Sequence, residues 1–229
     1  MRDTDDHLPG LDALRGIAAI TVVLFHIEQI KSWNRLPNLM DIPFYSYTGG
    51  RVGVILFFVL SGFLITRMLL EEQKGGGTIK VGRFYLKRIL RIWPLYYLTL
   101  ALSAWLLNYT PQTNTLWMCL LIFPNLAHAT IGGWAVSPQT WSIGAEEQFY
   151  LGWPWVLKVF RNHTLPLLGG LFVLLTVLPF IVGHIVENYY FEPGRVNTVH
   201  TLFKFTKFNC MVLGGLFAVA TIRWPRFVR

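Results

Sequence analysis

Apolar residues fall in long runs separated by short polar stretches, at roughly 11–30, 52–70, 89–108, 114–127, 145–160, 165–187 and 200–222. A bilayer core about 30 Å thick needs about 20 apolar residues of α-helix to cross it, and all but one of these runs approach that length. The pattern predicts an all-α fold, a polytopic transmembrane helix bundle with six or seven membrane segments. The exception, 114–127, is about two-thirds of a span and contains Pro124. It reads as a crossing, a re-entrant segment or an interfacial one.

Two ionisable residues interrupt the first run. Arg15 and His26 are eleven positions apart, which on an α-helix is three turns plus about 20°, so both side chains share one face about 16 Å apart along the axis. Ionisable groups at membrane depth are costly and ordinarily face a bundle interior or a watery cavity, which makes both functional candidates. His26 is the best general base in the chain, because an imidazole can take a proton from a hydroxyl near neutral pH. A neutral histidine bonding a neighbouring helix is the plainer reading. Arg15 is too far away to orient His26, so it either meets an anion or developing charge, or snorkels to the interface. Asp12, one turn earlier, is a partner within reach.

Composition sharpens this picture. Of 229 residues, 53% are hydrophobic and 14% charged, with a mean hydropathy of +0.45, too oily for an ordinary soluble domain. The net charge of +8 gathers in the short segments between apolar runs, where it serves topology and contacts with anionic lipids or ligands rather than nucleic acid. Cys119 and Cys210 lie in apolar runs without a Cys-x-x-Cys or Cys/His cluster. They read as packing residues, with no metal site indicated. The acidic N-terminus MRDTDDHLPG precedes no small-residue cleavage pattern, so the first run reads as an uncleaved anchor.

Loop charge sets the expected orientation. Residues 74–91, joining the second run to the third, carry Lys74, Lys80, Arg83, Lys87, Arg88 and Arg91 and no acid, placing that loop and the N-terminus in the cytoplasm. If 114–127 crosses, Lys158 and Arg161 end outside. If it does not, they fall inside with Arg223, Arg226 and Arg229, which suits the rule better. Lys204 and Lys207 then stand near the outer end of the last helix, against the same rule.

Two further segments carry candidate chemistry. In RFYLKRILRIWPLYYL (83–98), Arg88 and Arg91 share a helical face with Lys87 and Arg83 nearby, a collar that serves phosphate binding or topology alone. In WSIGAEEQFY (141–150), Glu146 or Glu147 orients a His or Arg across the bundle, or merely complements a helix N-terminus. Ser61 in GVILFFVLSGFLI lacks a nucleophile elbow and reads as a packing Ser-Gly pair. Gly75–Gly77 reads as a flexible connector rather than a phosphate loop, and Gly214, Gly215 and Ala218 as a small-residue face for close helix packing.

Taken together, these segments resemble the acyltransferase-3 family of integral-membrane O-acyltransferases. LDALRGIAAITVVLFH (11–26) resembles its opening Arg-x10-His block, GVILFFVLSGFLI (53–65) its second helix, RFYLKRILRIWPLYYL its Arg-x-x-Arg block and WSIGAEEQFYL (141–151) its Trp-Ser-x-x-x-Glu-x-x-Phe-Tyr block. The resemblance implies that Arg15, His26 and Glu146 belong to the active site, with His26 as base and Glu147 a less essential neighbour. It implies that Arg88 and Arg91 meet the acyl donor, acyl-CoA and commonly acetyl-CoA, used as a co-substrate rather than a permanently bound cofactor. The implied acceptor is a hydroxyl of a carbohydrate or similar molecule, and the implied place is a bacterial cytoplasmic membrane. Family domains usually continue through further membrane helices, so residues 1–229 are expected to be a single domain incomplete at its C-terminus. A membrane transporter or permease, and a catalytically inactive truncated fragment, are the alternatives.

Overall fold

The computed structural model describes residues 10–74, 77–189 and 193–224. Among these residues the chain is helical throughout its regular structure: α1 (Leu11–Trp33), α2 (Pro43–Gln73), α3 (Val81–Leu106), α4 (Thr113–Leu120), α5 (Pro124–Ile131), α6 (Trp141–Val159), α7 (Thr164–Tyr189), α8 (Pro193–Lys204) and α9 (Phe208–Arg223). Five stretches are long and apolar enough to cross a membrane: Leu11–Trp33, Pro43–Gln73, Val81–Leu106, Arg161–Tyr189 and Val196–Arg223. The chain is thus an integral membrane protein by its helices, with five such candidate spans among the described residues, one short of the lower expected count of six. Gly75, Gly76, the acidic residues of the first nine positions, Arg226 and Arg229 lie outside the described residues.

The difference in count has local causes. The run 114–127 is split into α4 and α5, eight residues each and about 12 Å long, so neither crosses a core of about 30 Å. Ile122, in the left-handed region at φ 63°, ends the preceding helix, and Pro124 opens α5, a position where its missing N–H is tolerated. The run 145–160 forms α6, 19 residues long, whose Glu146, Glu147 and Lys158 dilute its apolar character. The last run is also divided, with Lys207 in the left-handed region at φ 49° between α8 and α9.

Helix α2 is the central strut, packed against α1, α6 and α9. Its tightest contact is with α9: a Cβ on Gly62 would lie 1.9 Å from the Met211 carbonyl oxygen, and one on Gly214 would lie 1.9 Å from that of Val59. Two backbones therefore touch where only hydrogen stands between them. The expected small-residue face is realised, since Gly214, Gly215 and Ala218 are all buried. Around this crossing Phe58, Ile65, Leu69, Trp153, Leu157, Leu168 and Met211 form the core. The outer faces carry Ile17, Ile20, Leu90, Leu95, Leu151 and Phe180, as a lipid-facing surface requires. Cys119 and Cys210 are both free thiols, and Cys119 is fully buried.

One polar tie crosses the core, where the Trp153 indole Nε1 donates to Thr66 Oγ1 at 2.8 Å. Thr66→Val would leave that N–H unpaired and should cost about 1–3 kcal/mol. A lowered midpoint of thermal unfolding in detergent, restored by Thr66→Ser, is the expected result.

The joints between helices sort into two ends. Arg161 donates to the carbonyls of Gln73 at 3.1 Å and Gly77 at 3.4 Å, and Gln73 Nε2 donates to the Leu157 carbonyl at 3.2 Å. The α6–α7 joint thus shares an end with the basic α2–α3 connection, as expected if 114–127 does not cross. Lys204 and Lys207 lie at the opposite end, with the C-terminal half of α1, the start of α2 and the start of α6.

Candidate functional site

Helix α1 turns one stripe inward. Arg15, Ala18, Val22, His26 and Gln29 are buried or half-buried, whereas Ile17, Ile20, Leu24 and Ile27 face outward. The helix can lie close because α2 offers glycines opposite it. A Cβ on Gly53 would fall 2.7 Å from Val22 and 2.9 Å from the Ala18 carbonyl, and one on Gly50 would fall 2.5 Å from the Phe25 ring.

At the end of this stripe His26 enters a chamber of about 590 Å³. Its Nδ1 lies 3.3 Å from Gln29 Oε1 one turn on, and the edge of Phe25 flanks it, with ring centroids 5.8 Å apart. A hydrogen bond at Nδ1 orients the ring and leaves Nε2 for other chemistry. Arg51, His128, Trp141, Lys204 and Lys207 also line the chamber. Among its described lining residues there is no carboxylate.

His128 is delivered by α5, which is fastened to the start of α6. Asn125 and Gln148 exchange amide hydrogen bonds of 3.0 and 2.7 Å, and Gly144 leaves room for Pro124, since a Cβ there would lie 2.6 Å from the proline ring. The His128 ring meets Phe205 edge-on at 4.5 Å, and its Nδ1 is buried without a hydrogen-bond partner. Burial, and then nearby Lys204, push its imidazole below the usual histidine range, so it is neutral at pH 7.

Glu146 belongs to a second cluster deeper in the bundle. Ser61 Oγ donates to its Oε1 at 2.8 Å and the Tyr150 hydroxyl to its Oε2 at 3.2 Å. Ser61 is two turns beyond Val54, a chamber residue, which places it on nearly the same face of α2 about 10 Å farther along. Glu147 accepts from Trp93 Nε1 at 3.0 Å, and its other oxygen is buried without a partner. Arg88 reaches this cluster from α3, its guanidinium carbon 5.6 Å from the centre of Phe84 and 5.7 Å from that of Tyr150. Tyr85 adds a hydrogen bond to the Leu151 carbonyl, so α3 and α6 are tied along this length.

The predicted site residues are therefore distributed. His26 lines the chamber; Glu146 and Arg88 share the deeper cluster; Arg91 is exposed on the outside of α3. Arg15 remains on the inward stripe but at its far end, 3.4 Å from Asp12 and 42% exposed, well away from His26. Ser61 does more than pack, because Gly62 makes the close approach while Ser61 bonds Glu146. His128 and Arg51 carried no motif that could have singled them out. The two lysines did carry a signal, their misfit to the charge rule in the expected orientation, and both line the chamber.

A larger groove of about 750 Å³ lies between α7 and the α8–α9 joint and holds the Glu187–His200 pair, 2.9 Å apart. None of the motif residues described above lines it, which favours the His26 chamber as the site.

A family model described as an acyltransferase domain matches residues 8–229. The chain is 30% identical over 172 residues to a peptidoglycan O-acetyltransferase of Listeria monocytogenes, covering 67% of this chain and 25% of that protein. It is 29% identical over 167 residues to a Bacillus subtilis protein named as a candidate peptidoglycan O-acetyltransferase, covering 67% and 24%. A candidate O-acetyltransferase of Staphylococcus aureus is 28% identical over 165 residues, covering 66% and 25%. The matched region thus spans about a quarter of the length of these curated relatives. No solved structure matches.

Proposed function

The chain belongs to the acyltransferase domain family, and from that premise we propose that it is a membrane O-acyltransferase carrying acetyl from acetyl-CoA to a hydroxyl of a cell-envelope carbohydrate. The acetyl group and a peptidoglycan-like acceptor follow the names of the relatives. The single observation that carries the reading is His26 on the wall of a chamber large enough for a sugar.

In this mechanism the acceptor hydroxyl binds in the chamber and gives its proton to His26 as its oxygen attacks the thioester carbonyl. The carbon–sulfur bond breaks and the departing sulfur takes a proton, leaving the acyl ester and free thiol. Arg88 and Arg91 hold the donor's phosphates at the basic end. Glu146 acts as a positioning residue, joining Ser61 of α2 to Tyr150 of α6 beside Arg88. Arg15, on the same inward stripe, assists charge near the donor's path.

This reading puts the N-terminus and the α2–α3 connection in the cytoplasm of a bacterial inner membrane, from the basic residues of that connection. Counting α6, about 28 Å long, as a crossing gives six passes and opens the chamber outward. Donor and acceptor then approach from opposite sides.

The test is purified protein in lipid discs with acetyl-labelled acetyl-CoA and a hydroxyl-bearing oligosaccharide. Label on the oligosaccharide supports the enzyme; counterflow of unmodified solute without transfer overturns it. Arg91→Ala should raise the KM for donor roughly 10- to 100-fold, the worth of a charge-assisted hydrogen bond, with the acceptor KM unchanged. An equal rise in both would remove Arg91 from the donor site.

A further inference from the structure

We infer that the His26 chamber is built for an anionic acceptor, a saccharide bearing a carboxylate or phosphate gripped by Arg51, Lys204 and Lys207. This deepens the acyltransferase reading and rests on it.

Three basic side chains and two imidazoles line one cavity, and no acid is among its described lining residues. Lys204 and Lys207 also border the adjoining groove, whose acid, Glu187, is held there by His200 at 2.9 Å; Arg51 lines the chamber only. Cations converging on a partly enclosed space that no acid lines repel one another, and they gain most when an anion enters. Their placement adds to the argument. Arg51 stands on α2 with its guanidinium carbon 4.2 Å from the centre of the Tyr47 ring, a stacked pose that restricts the side chain. Lys204 comes from the end of α8, 5.5 Å from the Phe205 ring centre, and Lys207 occupies the left-handed turn that separates α8 from α9. A turn at this point sets both lysines on the wall between the chamber and the adjoining groove, whereas an uninterrupted helix would space them along its length.

The aromatic walls specify the rest of the ligand. Trp33 and Trp141 line the same space, and indole faces suit the apolar faces of sugar rings, while Gln29 and Gln139 supply neutral hydrogen-bonding groups. Cations for the acidic group, aromatics for the ring and His26 for the hydroxyl together describe an acidic saccharide. An anionic lipid headgroup shares the charge but makes less use of the aromatic walls.

The experiment measures equilibrium binding of a labelled uronic-acid oligosaccharide and of its carboxyl-reduced, uncharged counterpart to the whole chain in phosphatidylcholine discs. The acidic form should bind at least about tenfold tighter at low salt, with the difference shrinking as salt is raised. R51Q combined with K204Q and K207Q should erase the preference, and R51K alone should keep it. Equal binding of the two forms, or a preference that survives the triple substitution, overturns the inference. Loss of the preference when phosphatidylglycerol is added to the discs assigns the site to lipid headgroups and also overturns it. Acetyl transfer is read in parallel on both oligosaccharides. Preferential binding without transfer to either would sink the acyltransferase reading and leave the anion site standing, while equal transfer to both would sink the anion site alone.

Discussion

Acyl transfer should fall about 10²- to 10⁴-fold in kcat when His26 is replaced by alanine, the usual contribution of a positioned general base. The fold should survive, because His26 is only half-buried and its polar contact is Gln29 on its own helix. Thermal stability in detergent and membrane insertion are therefore expected to match the wild type. Donor binding should also be retained, since Arg88 and Arg91 lie on α3, outside the His26 chamber. His26→Gln keeps polarity and approximate size but cannot serve as the base, so it should be as inactive as His26→Ala. Turnover that persists in both variants would remove His26 from the chemistry and leave neutral His128, across the same chamber, as the candidate to examine.

The largest structural effect is expected at the α2–α9 crossing. Gly62→Ala and Gly214→Ala each place a methyl within 1.9 Å of a backbone carbonyl oxygen on the opposing helix, a separation no relaxed contact tolerates. Neither obstacle is the end of a flexible side chain, so the helices must part. Ordinary overpacking costs about 1–3 kcal/mol, and each of these substitutions should reach or exceed the top of that range. The combined variant should lose its cooperative unfolding transition and elute as aggregate in detergent. Gly169→Ala on α7, where a Cβ would meet nothing within 4 Å, is the control and should leave the transition unchanged. Near-native stability of Gly214→Ala would show that the crossing is looser than described.

Much of this arrangement was legible in the order of residues. The eleven-residue spacing of Arg15 and His26 placed both on the inward stripe of α1, because helical periodicity is a local property. Gly214 and Gly215 announced a close approach, and the basic connection between α2 and α3 announced one end of the bundle. The break inside 204–208 was not legible, since it falls within the run 200–222 and a left-handed lysine leaves no compositional mark. Nor was the role of His128, which rests on the Asn125–Gln148 pair and on α5 folding back against α6. Helix α6 was visible as an apolar run, yet its charged residues are accommodated by Ser61, Tyr150 and Trp93 from elsewhere in the chain or one turn on, partnerships that only the assembled bundle supplies. The distance between Arg15 and His26 was foreseen.

The crossing of Gly62 with Met211 also has a temporal side. Roughly 150 residues separate the two positions along the chain, so at 5–20 residues per second a ribosome needs on the order of 8–30 s to deliver the second after the first. Throughout that interval the glycine-lined flank of α2 is presented to lipid or to whatever helix is at hand. Biogenesis therefore depends on a strut that waits for a neighbour made much later, and slowing translation between the two would lengthen the window in which the nascent protein pairs wrongly.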